Sequence, residues 1–189
     1  MPACRVAVIV LNYRGEHVLP ACLASLQKSV GADDAILVVD NGNEVALLRR
    51  MSQDFPAIET LPLDSNRGFA AGMNAGIRYL LARETFDAFW LINNDACVQP
   101  NTLNELKRAL SENGDAALYS PTIFSDGATR PWFSGGQIDF FRMRTTHAQD
   151  LPRGQAPYQT GFLTGCALFI PRAVIEKIGF LDERYFLYY

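Results

Sequence analysis

Apolar and polar positions change period repeatedly along the first 120 residues. Val6 to Leu11 is a continuous apolar run rich in β-branched residues, the pattern of a central parallel strand covered on both faces. Asn12, Tyr13, Arg14 and Gly15 then make a loop. From His17 to Ser29 the period becomes helical: Leu19, Cys22, Leu23 and Leu26 recur on one side, and Pro20 is tolerated in the first turn. Ala35 to Val39 predicts a second strand, ending at Asp40, Asn41 and Gly42. Val45 to Met51 predicts a short helix. Ile58 to Leu63 predicts a third strand, on the edge because Pro62 cannot donate to a ladder. Gly68 to Ala82 is helical, with Met73, Ile77, Leu80 and Leu81 near one side. Phe86 to Ile92 is a buried strand that runs into Asn93, Asn94 and Asp95. Pro100 to Leu110 is a helix with Leu103, Leu106 and Leu110 facing inward, and Ala116 to Tyr119 reads as the next strand.

Strands alternating with helices, through connections too long for hairpins, predict an open parallel α/β sheet. Ligands bind such sheets at the carboxyl ends of the strands. Tyr13, Asp40 and Asp95 occupy three of those ends. After Ser120 the character changes. Asp126-Gly127 and Gly135-Gly136 are turn signals, and Trp132, Phe133, Phe140 and Phe141 form a group of aromatics. Residues 142–160 hold Arg142, Arg144 and Arg153 and predict an irregular, mobile segment. Order returns at Gly161, with a strand over Leu163 to Ile170 and a helix over Arg172 to Ile178 stopped by Gly179. There is no internal repeat, and one domain accounts for residues 1–189.

Composition narrows the function. Twenty acids against seventeen Lys and Arg give a net charge of -3, so a strongly cationic surface for nucleic acid is excluded as the bulk property. Four cysteines (Cys4, Cys22, Cys97, Cys166) form no CxxC and have apolar neighbours, as expected of reduced, buried residues in a reducing compartment. Two histidines, His17 and His147, cannot build a His-rich zinc site. No apolar run reaches the roughly 18 residues of a spanning helix. A cytoplasmic protein is expected, with peripheral contact at the inner face of the membrane left open.

The strand-end acids suggest chemistry. An exposed Asp95 can bind a divalent cation that in turn binds phosphate oxygens, although one carboxylate cannot complete a magnesium shell. Asp40 can accept hydrogen bonds from a base or ribose. The first loop lacks GxGxxG and the chain lacks a phosphate loop ending in GK[ST], which argues against dinucleotide enzymes and common nucleoside triphosphatases. Asn66 through Gly76 mixes small and polar residues at a helix entrance. Gly68, Gly72 and Gly76 recur every four residues and suit close helix-to-sheet packing. Amides at the helix start, with Arg67, suit a diphosphate.

Six segments in order carry a resemblance: Val8 to Tyr13, Val38 to Gly42, Asn66 to Gly76, Trp90 to Asp95, Gly161 to Gly165, and Gly179 to Phe186. Together they resemble the N-terminal part of a family-two, GT-A-type inverting glycosyltransferase, in the bacterial rhamnosyltransferase-like branch that builds cell-surface polysaccharide. The resemblance implies a GT-A-type, Rossmann-like, mostly parallel sheet flanked by helices. It implies a nucleotide-diphosphate sugar donor, such as dTDP-rhamnose or a UDP-sugar, and a polysaccharide or lipid-linked glycan acceptor. By the match, residues 1–120 form the nucleotide-sugar half and 121–189 the acceptor-side half. Tyr13 and Asp40 fall at the nucleoside, Asn66 and Arg67 near the ribose or diphosphate, and Asn12 and Asn94 are further donor-binding positions. Asp95 matches the final acid of the family's metal triplet, and Asn93-Asn94 stand where many relatives carry acids. The implied cofactor is Mg2+ or Mn2+.

An inverting transfer also needs a base near the acceptor hydroxyl. The family supplies it in a Glu-Asp pair after a Phe-Leu-Tyr-Tyr-like stretch, and the sequence ends at Phe186-Leu187-Tyr188-Tyr189. The expectation is therefore a chain truncated before its base. Asp182 and Glu183 are the nearest catalytic candidates, with bracing of the acceptor side as their other reading. Cys166 as a nucleophile would need a neighbouring base. The rival functions are a non-catalytic sugar-nucleotide-binding or interaction module, and a nucleotidyltransferase, whose glycine-rich basic loop Asn12 to Glu16 does not supply.

Overall fold

The computed structural model describes residues 4–151 and 157–187. Arg153, Tyr188 and Tyr189 lie outside the described residues. Five strands form the central sheet: β1 (Val6–Asn12), β2 (Ala35–Asp40), β3 (Glu59–Pro62), β4 (Ala88–Asn93) and β9 (Ala167–Pro171), in the order β3-β2-β1-β4-β9. β1, β2, β3 and β4 pair in parallel, and β9 runs antiparallel along β4. The expected mostly parallel sheet is present, and Pro62 does lie on its edge strand. The residues after Ser120 do not form a separate layer, because they supply β9 to the main sheet.

The continuous apolar strands are explained by helices on both faces. Val6, Val8 and Val10 point to one side, where they meet Leu19, Leu23 and Leu26 of α1 (Leu19–Leu26), Leu47, Leu48 and Met51 of α2 (Val45–Asp54), and Leu103 and Leu106 of α4 (Thr102–Asn113). Ala7 and Ile9 point to the other, against Met73, Ile77 and Leu80 of α3 (Gly68–Leu81) and Val174 and Ile175 of α5 (Arg172–Ile178). This is the period-two alternation of a strand filled on both faces. Each fully buried large apolar side chain here contributes about 1.5–3 kcal/mol.

The amino end of the sheet is tied by charge. Asp34 accepts from the Val6 amide at 3.0 Å and from Lys107 Nζ at 2.6 Å, and Asp87 accepts from the Arg5 amide at 2.7 Å. At the carboxyl end, carboxamides join the network around Asp40 and Glu44.

Three elements depart from the sequence pattern. Ala116 to Tyr119 is not a strand: only Tyr119 makes a bridge, to Phe169, and Pro121 removes the next donor on that edge. The strand expected over Leu163 to Ile170 begins only at Ala167. Gly165 and Cys166 turn beside the Phe69 ring, and the Cys166 carbonyl caps the Asn93 amide at 3.0 Å. The segment expected to be irregular contains β8 (Arg144–His147), which pairs with β7 (Gly136–Asp139). A second small ladder joins β5 (Ile123–Phe124) and β6 (Pro131–Phe133).

The glycine repeat of α3 divides into two uses. A Cβ on Gly76 would lie 2.8 Å from Val39 and 2.9 Å from Ile9, and one on Gly72 would lie 2.6 Å from Leu11. Both let the helix lie directly on the sheet. Gly68 does not face the sheet: it starts the helix at φ +81° and packs against the Phe186 carbonyl. An exposed helical Gly→Ala change stabilises by up to about 1 kcal/mol. Gly76→Ala is expected to do the opposite and destabilise by roughly 1–2 kcal/mol, since overpacking exceeds the propensity gain. Urea melts of the two proteins read the sign.

Candidate functional site

At the carboxyl end of the sheet, three strand termini are joined through side-chain amides. Asn12 closes β1 and is fully buried. Its Nδ2 donates to Glu44 Oε2 at 2.9 Å, and its Oδ1 accepts from Asn94 Nδ2 at 2.9 Å. That bond ties β1 to the end of β4. Gly15 must be glycine here, because a Cβ would fall 2.0 Å from Asn94 Nδ2 and 2.4 Å from Asn12 Oδ1. Glu44 also accepts from the Arg14 amide at 2.8 Å, which holds Arg14 at φ 52° with its guanidinium 5.2 Å from the centre of the Tyr13 ring. Tyr13 itself is 44% exposed at the rim.

Asp40 is fully buried, and its two oxygens accept from the Gly42 amide at 3.0 Å and the Glu44 amide at 2.5 Å. It thereby bends the loop that brings Glu44 to Asn12. A nucleoside reaches this carboxylate only if residues 41–44 move. Asn41 is also buried: Nδ2 donates to Asn66 Oδ1 at 2.9 Å and to the Gly68 carbonyl at 3.0 Å, and Oδ1 accepts from the Arg67 amide at 2.8 Å. Asn66 Oδ1 further accepts from the Gly68 amide at 2.9 Å.

The start of α3 therefore differs from a free phosphate cradle. The amides of Arg67, Gly68 and Phe69 are taken by Asn41, Asn66 and, at 2.6 Å, the Phe186 carbonyl. Sequence reasoning expected them to be available. The Arg67 side chain remains half exposed, with Asp64 as a distant partner at 3.8 Å.

Asp95 is exposed one residue beyond Asn94. Among the described residues no three His, Cys, Asp or Glu side chains gather as metal ligands. The oxygen donor at Asp95 fits a hard divalent cation that takes its remaining ligands from phosphate and water. The nearby thiols do not compete. Burial, aided by neighbouring charge including Asp95, pushes Cys22 up to about 12, and burial and Asp95 push Cys166 up to about 11. Burial thus favours the thiol over the thiolate at both, which weakens them as nucleophiles and metal ligands. Cys97 is exposed, against the expectation that all four cysteines are covered.

Asp182 and Glu183 stand apart from this network. Asp182 is clasped by Arg184 Nε at 2.9 and 3.0 Å, and those bonds hold its carboxyl down at about 2. Glu183 Oε1 accepts from Asn74 Nδ2 at 2.9 Å and from Arg78 at 2.8 Å, and these bonds likewise lower its pKa. Each carboxylate is thus engaged by a guanidinium, and Glu183 ties its segment to α3. Asn74, fully buried in α3, completes this brace: Nδ2 donates to the Leu181 carbonyl at 2.8 Å, and Oδ1 accepts from the Leu181 amide at 3.1 Å. Arg78 lies 4.6 Å from the centre of the Phe180 ring. Asn41, Glu44, Asn74 and Gly15 had no assigned role in the sequence reading. Asn74 alone carried a local signal, a carboxamide on the helix face occupied by Met73 and Ile77.

The aromatic group of the second half separates into two. Phe133 stacks with His147 and Phe162 at 5.1 and 5.7 Å, with Trp132 beside them, whereas Phe140 and Phe141 stand away in solvent. Next to His147 a cavity of about 570 Å³ is lined by Gln137, Thr146, Tyr158 and Thr160 and contains none of the strand-end residues.

Comparison with known proteins assigns a family to this architecture. The model of the family described as glycosyl transferase family 2 matches residues 6–179. The chain belongs to that family. This glycosyltransferase-family chain is 26% identical over 206 residues to the N-acetylglucosaminyl-diphospho-decaprenol L-rhamnosyltransferase of Mycobacterium tuberculosis, covering 96% of this chain and 66% of that protein. It is 24% identical over 200 residues to the low-salt glycan biosynthesis hexosyltransferase Agl10 of Haloferax volcanii, covering 97% and 58%. The chain thus spans about three-fifths of the length of these relatives. Its fold superimposes on GalNAc-T7, solved with UDP, GalNAc and Mn2+, with a TM-score of 0.78 at 13% identity over 100% of this chain and 39% of that one. The architecture is the GT-A type.

Asn74→Ala removes three hydrogen bonds and is expected to cost roughly 1–3 kcal/mol, with faster proteolysis of residues 180–187 as the local readout. Acid acts on the same brace. Because the folded pKa of Glu183 is lowered, its contribution is complete above the ordinary carboxylate range and is lost as pH falls through the lowered value. Hydrogen exchange at residues 180–186 is expected to rise below about pH 4 before the sheet opens.

Proposed function

We propose that this chain binds a nucleoside-diphosphate sugar at the carboxyl ends of β1, β2 and β4 and acts in inverting glycosyl transfer to a lipid-linked or polysaccharide glycan. The observation that carries this reading is the Asn94–Asn12–Glu44 link. It draws three strand ends into one rim and leaves Tyr13, Arg67 and Asp95 at the surface around it.

In this reading the Tyr13 ring, backed by Arg14, stacks on the base, and the loop shaped by Asp40 walls the nucleoside. Arg67, its amide held by Asn41 and the next amide by Asn66, faces the diphosphate. Asp95 holds Mg2+ or Mn2+ on that diphosphate, where the cation offsets the negative charge that collects on the leaving group. Asn93 and Asn94 add no negative charge beside Asp95, where two acids would add to the repulsion of a diphosphate. Asp182 and Glu183 brace the acceptor side through Asn74, Arg78 and Arg184.

The rhamnosyltransferase and hexosyltransferase relatives support a hexose or deoxyhexose donor such as dTDP-rhamnose, with a UDP-sugar as the other choice. The mycobacterial relative's name supports a lipid-linked acceptor, which would place the reaction at the cytoplasmic face of a membrane.

Calorimetric titration with dTDP and UDP, each with and without Mn2+, tests the donor site. Mn2+-dependent binding of one nucleotide is expected, and Asp95→Asn should weaken it about tenfold or more, the scale of one charge-assisted ligand, while leaving metal-free binding unchanged. Equal binding with and without metal, or an Asp95→Asn protein indistinguishable from its parent, contradicts the proposed role of Asp95. No binding of either nucleotide by folded protein favours an interaction module.

A further inference from the structure

The second half of the chain presents a surface that the donor site does not use. Between β7 and β8 the chain reverses through Phe140, Phe141, Arg142 and Met143. Phe140, Phe141 and Met143 are 78%, 95% and 85% exposed, the highest values among the large apolar residues described. Isolated exposed apolar residues are ordinary, but three within four positions are not.

The turn that presents them is built rather than slack. Asp139 Oδ1 accepts from the amides of Phe141 at 3.1 Å and Arg142 at 2.9 Å, and Oδ2 pairs with the Arg142 guanidinium at 3.0 Å. Met143 takes a left-handed φ of 51°. These contacts fix the course of the turn from which the phenyl rings project into solvent. The root of the hairpin is equally fixed. Phe133, His147 and Phe162 pack together there, Ser134 Oγ donates to the Ala148 carbonyl at 3.0 Å, and the Gly136 amide donates to Thr160 Oγ1 at 2.6 Å. A stiff stem therefore carries an apolar tip.

Charge selects the occupant. Asp139 pairs with Arg142 at 3.0 Å and lies across the ladder from Arg144, so one carboxylate faces two guanidinium groups and the tip carries net positive charge on a chain of net charge -3. A second protein would need a matching surface of about 800 Å² per partner. A narrow convex tip does not offer that area, but it can enter a fluid interface that reshapes around it. Aromatic residues prefer the headgroup level of a bilayer, and flanking cations are attracted to anionic lipid.

We propose that the 140–143 hairpin tip docks on an anionic phospholipid bilayer, with Phe140, Phe141 and Met143 entering the headgroup–acyl boundary and Arg144 facing lipid phosphates. This docking does not depend on the donor-site reading. No helix among the described residues is long and apolar enough to cross a membrane, and the tip supplies a different kind of contact.

The test is sedimentation of the 189-residue chain with phosphatidylcholine vesicles and with vesicles containing phosphatidylglycerol. The expected result is binding to the anionic vesicles, weakened about tenfold or more by Phe140→Ser/Phe141→Ser, since two aromatic anchors leave the interface. Arg144→Glu should lower the preference for anionic lipid. The melting temperature should stay at the parental value, because these side chains are exposed. A Phe141→Trp protein keeps the test independent of the double variant: its added fluorescence should shift to the blue and be quenched by brominated lipid. The proposal is overturned by absence of binding to both vesicle types, by undiminished binding of the double variant, or by an added indole fluorescence in the Phe141→Trp protein that lipid leaves unchanged. It is also overturned if sedimentation velocity finds a dimer that the double variant dissolves, which would assign the tip to a second copy.

Discussion

A carboxamide buried in a protein must find partners for both its oxygen and its nitrogen, because an unpaired polar group away from water costs about 1–3 kcal/mol. Among the described residues three such asparagines, Asn12, Asn41 and Asn74, are buried, and each is satisfied through segments distant in sequence. Asn12 reaches Glu44 and Asn94, Asn41 reaches Asn66 and the start of α3, and Asn74 reaches Leu181 and Glu183. The loops at the carboxyl end of the sheet are thereby fixed relative to one another, although hydrophobic packing alone would leave them free. The same loops hold the exposed groups proposed to face a donor.

Carboxylates accept backbone amides at both ends of the sheet, and the amino end adds the Asp34–Lys107 ion pair where the carboxyl end adds carboxamides. Ion pairs and carboxylate-to-amide bonds, centred on Asp34 and Asp87, close the amino end. Amides close the carboxyl end, and the two acids beneath its rim, Asp40 and Glu44, are occupied by N–H donors. Asp95 is left as the exposed carboxylate next to Asn94. A rim of this kind offers one exposed hard oxygen ligand, Asp95, on a frame of paired side chains. The segment from Phe180 to Phe186 is held against α3 by the Leu181–Asn74 bonds and the Phe186–Phe69 bond, so the strand-end rim and this braced segment share one helix.

Much of this arrangement is legible in the sequence. The apolar runs Val6 to Leu11 and Phe86 to Ile92 require cover on both faces, which forces helices onto both sides and strand ends onto one edge. That places Asn12, Asp40 and Asp95 together without any contact being known. The sequence also carries the close packing of Gly72 and Gly76. What it does not carry is pairing at long range. That Glu44 folds back on Asn12, or that Asn74 pairs with Leu181, depends on loop paths that no local period encodes. The Phe186 carbonyl occupying the Phe69 amide is hidden for the same reason, and so is the hairpin at Arg144 to His147, where an Asp139 turn and an aromatic root substitute for strong strand propensity. Bracing is one of the two readings the sequence leaves open for Asp182 and Glu183, but the partners of Glu183, Arg78 and Asn74, appear only in the fold.

The amide-built rim is, on this account, where a sugar nucleotide and its divalent ion bind. Paramagnetic broadening of backbone amide resonances by Mn2+, in the presence of dTDP or UDP, tests it residue by residue. The account predicts broadening centred on Asn93 to Ala96 that extends to Asn12–Arg14 and Asn66–Arg67 and spares Phe140 to Met143. Broadening centred elsewhere, or the same weak effect with and without nucleotide, would contradict it.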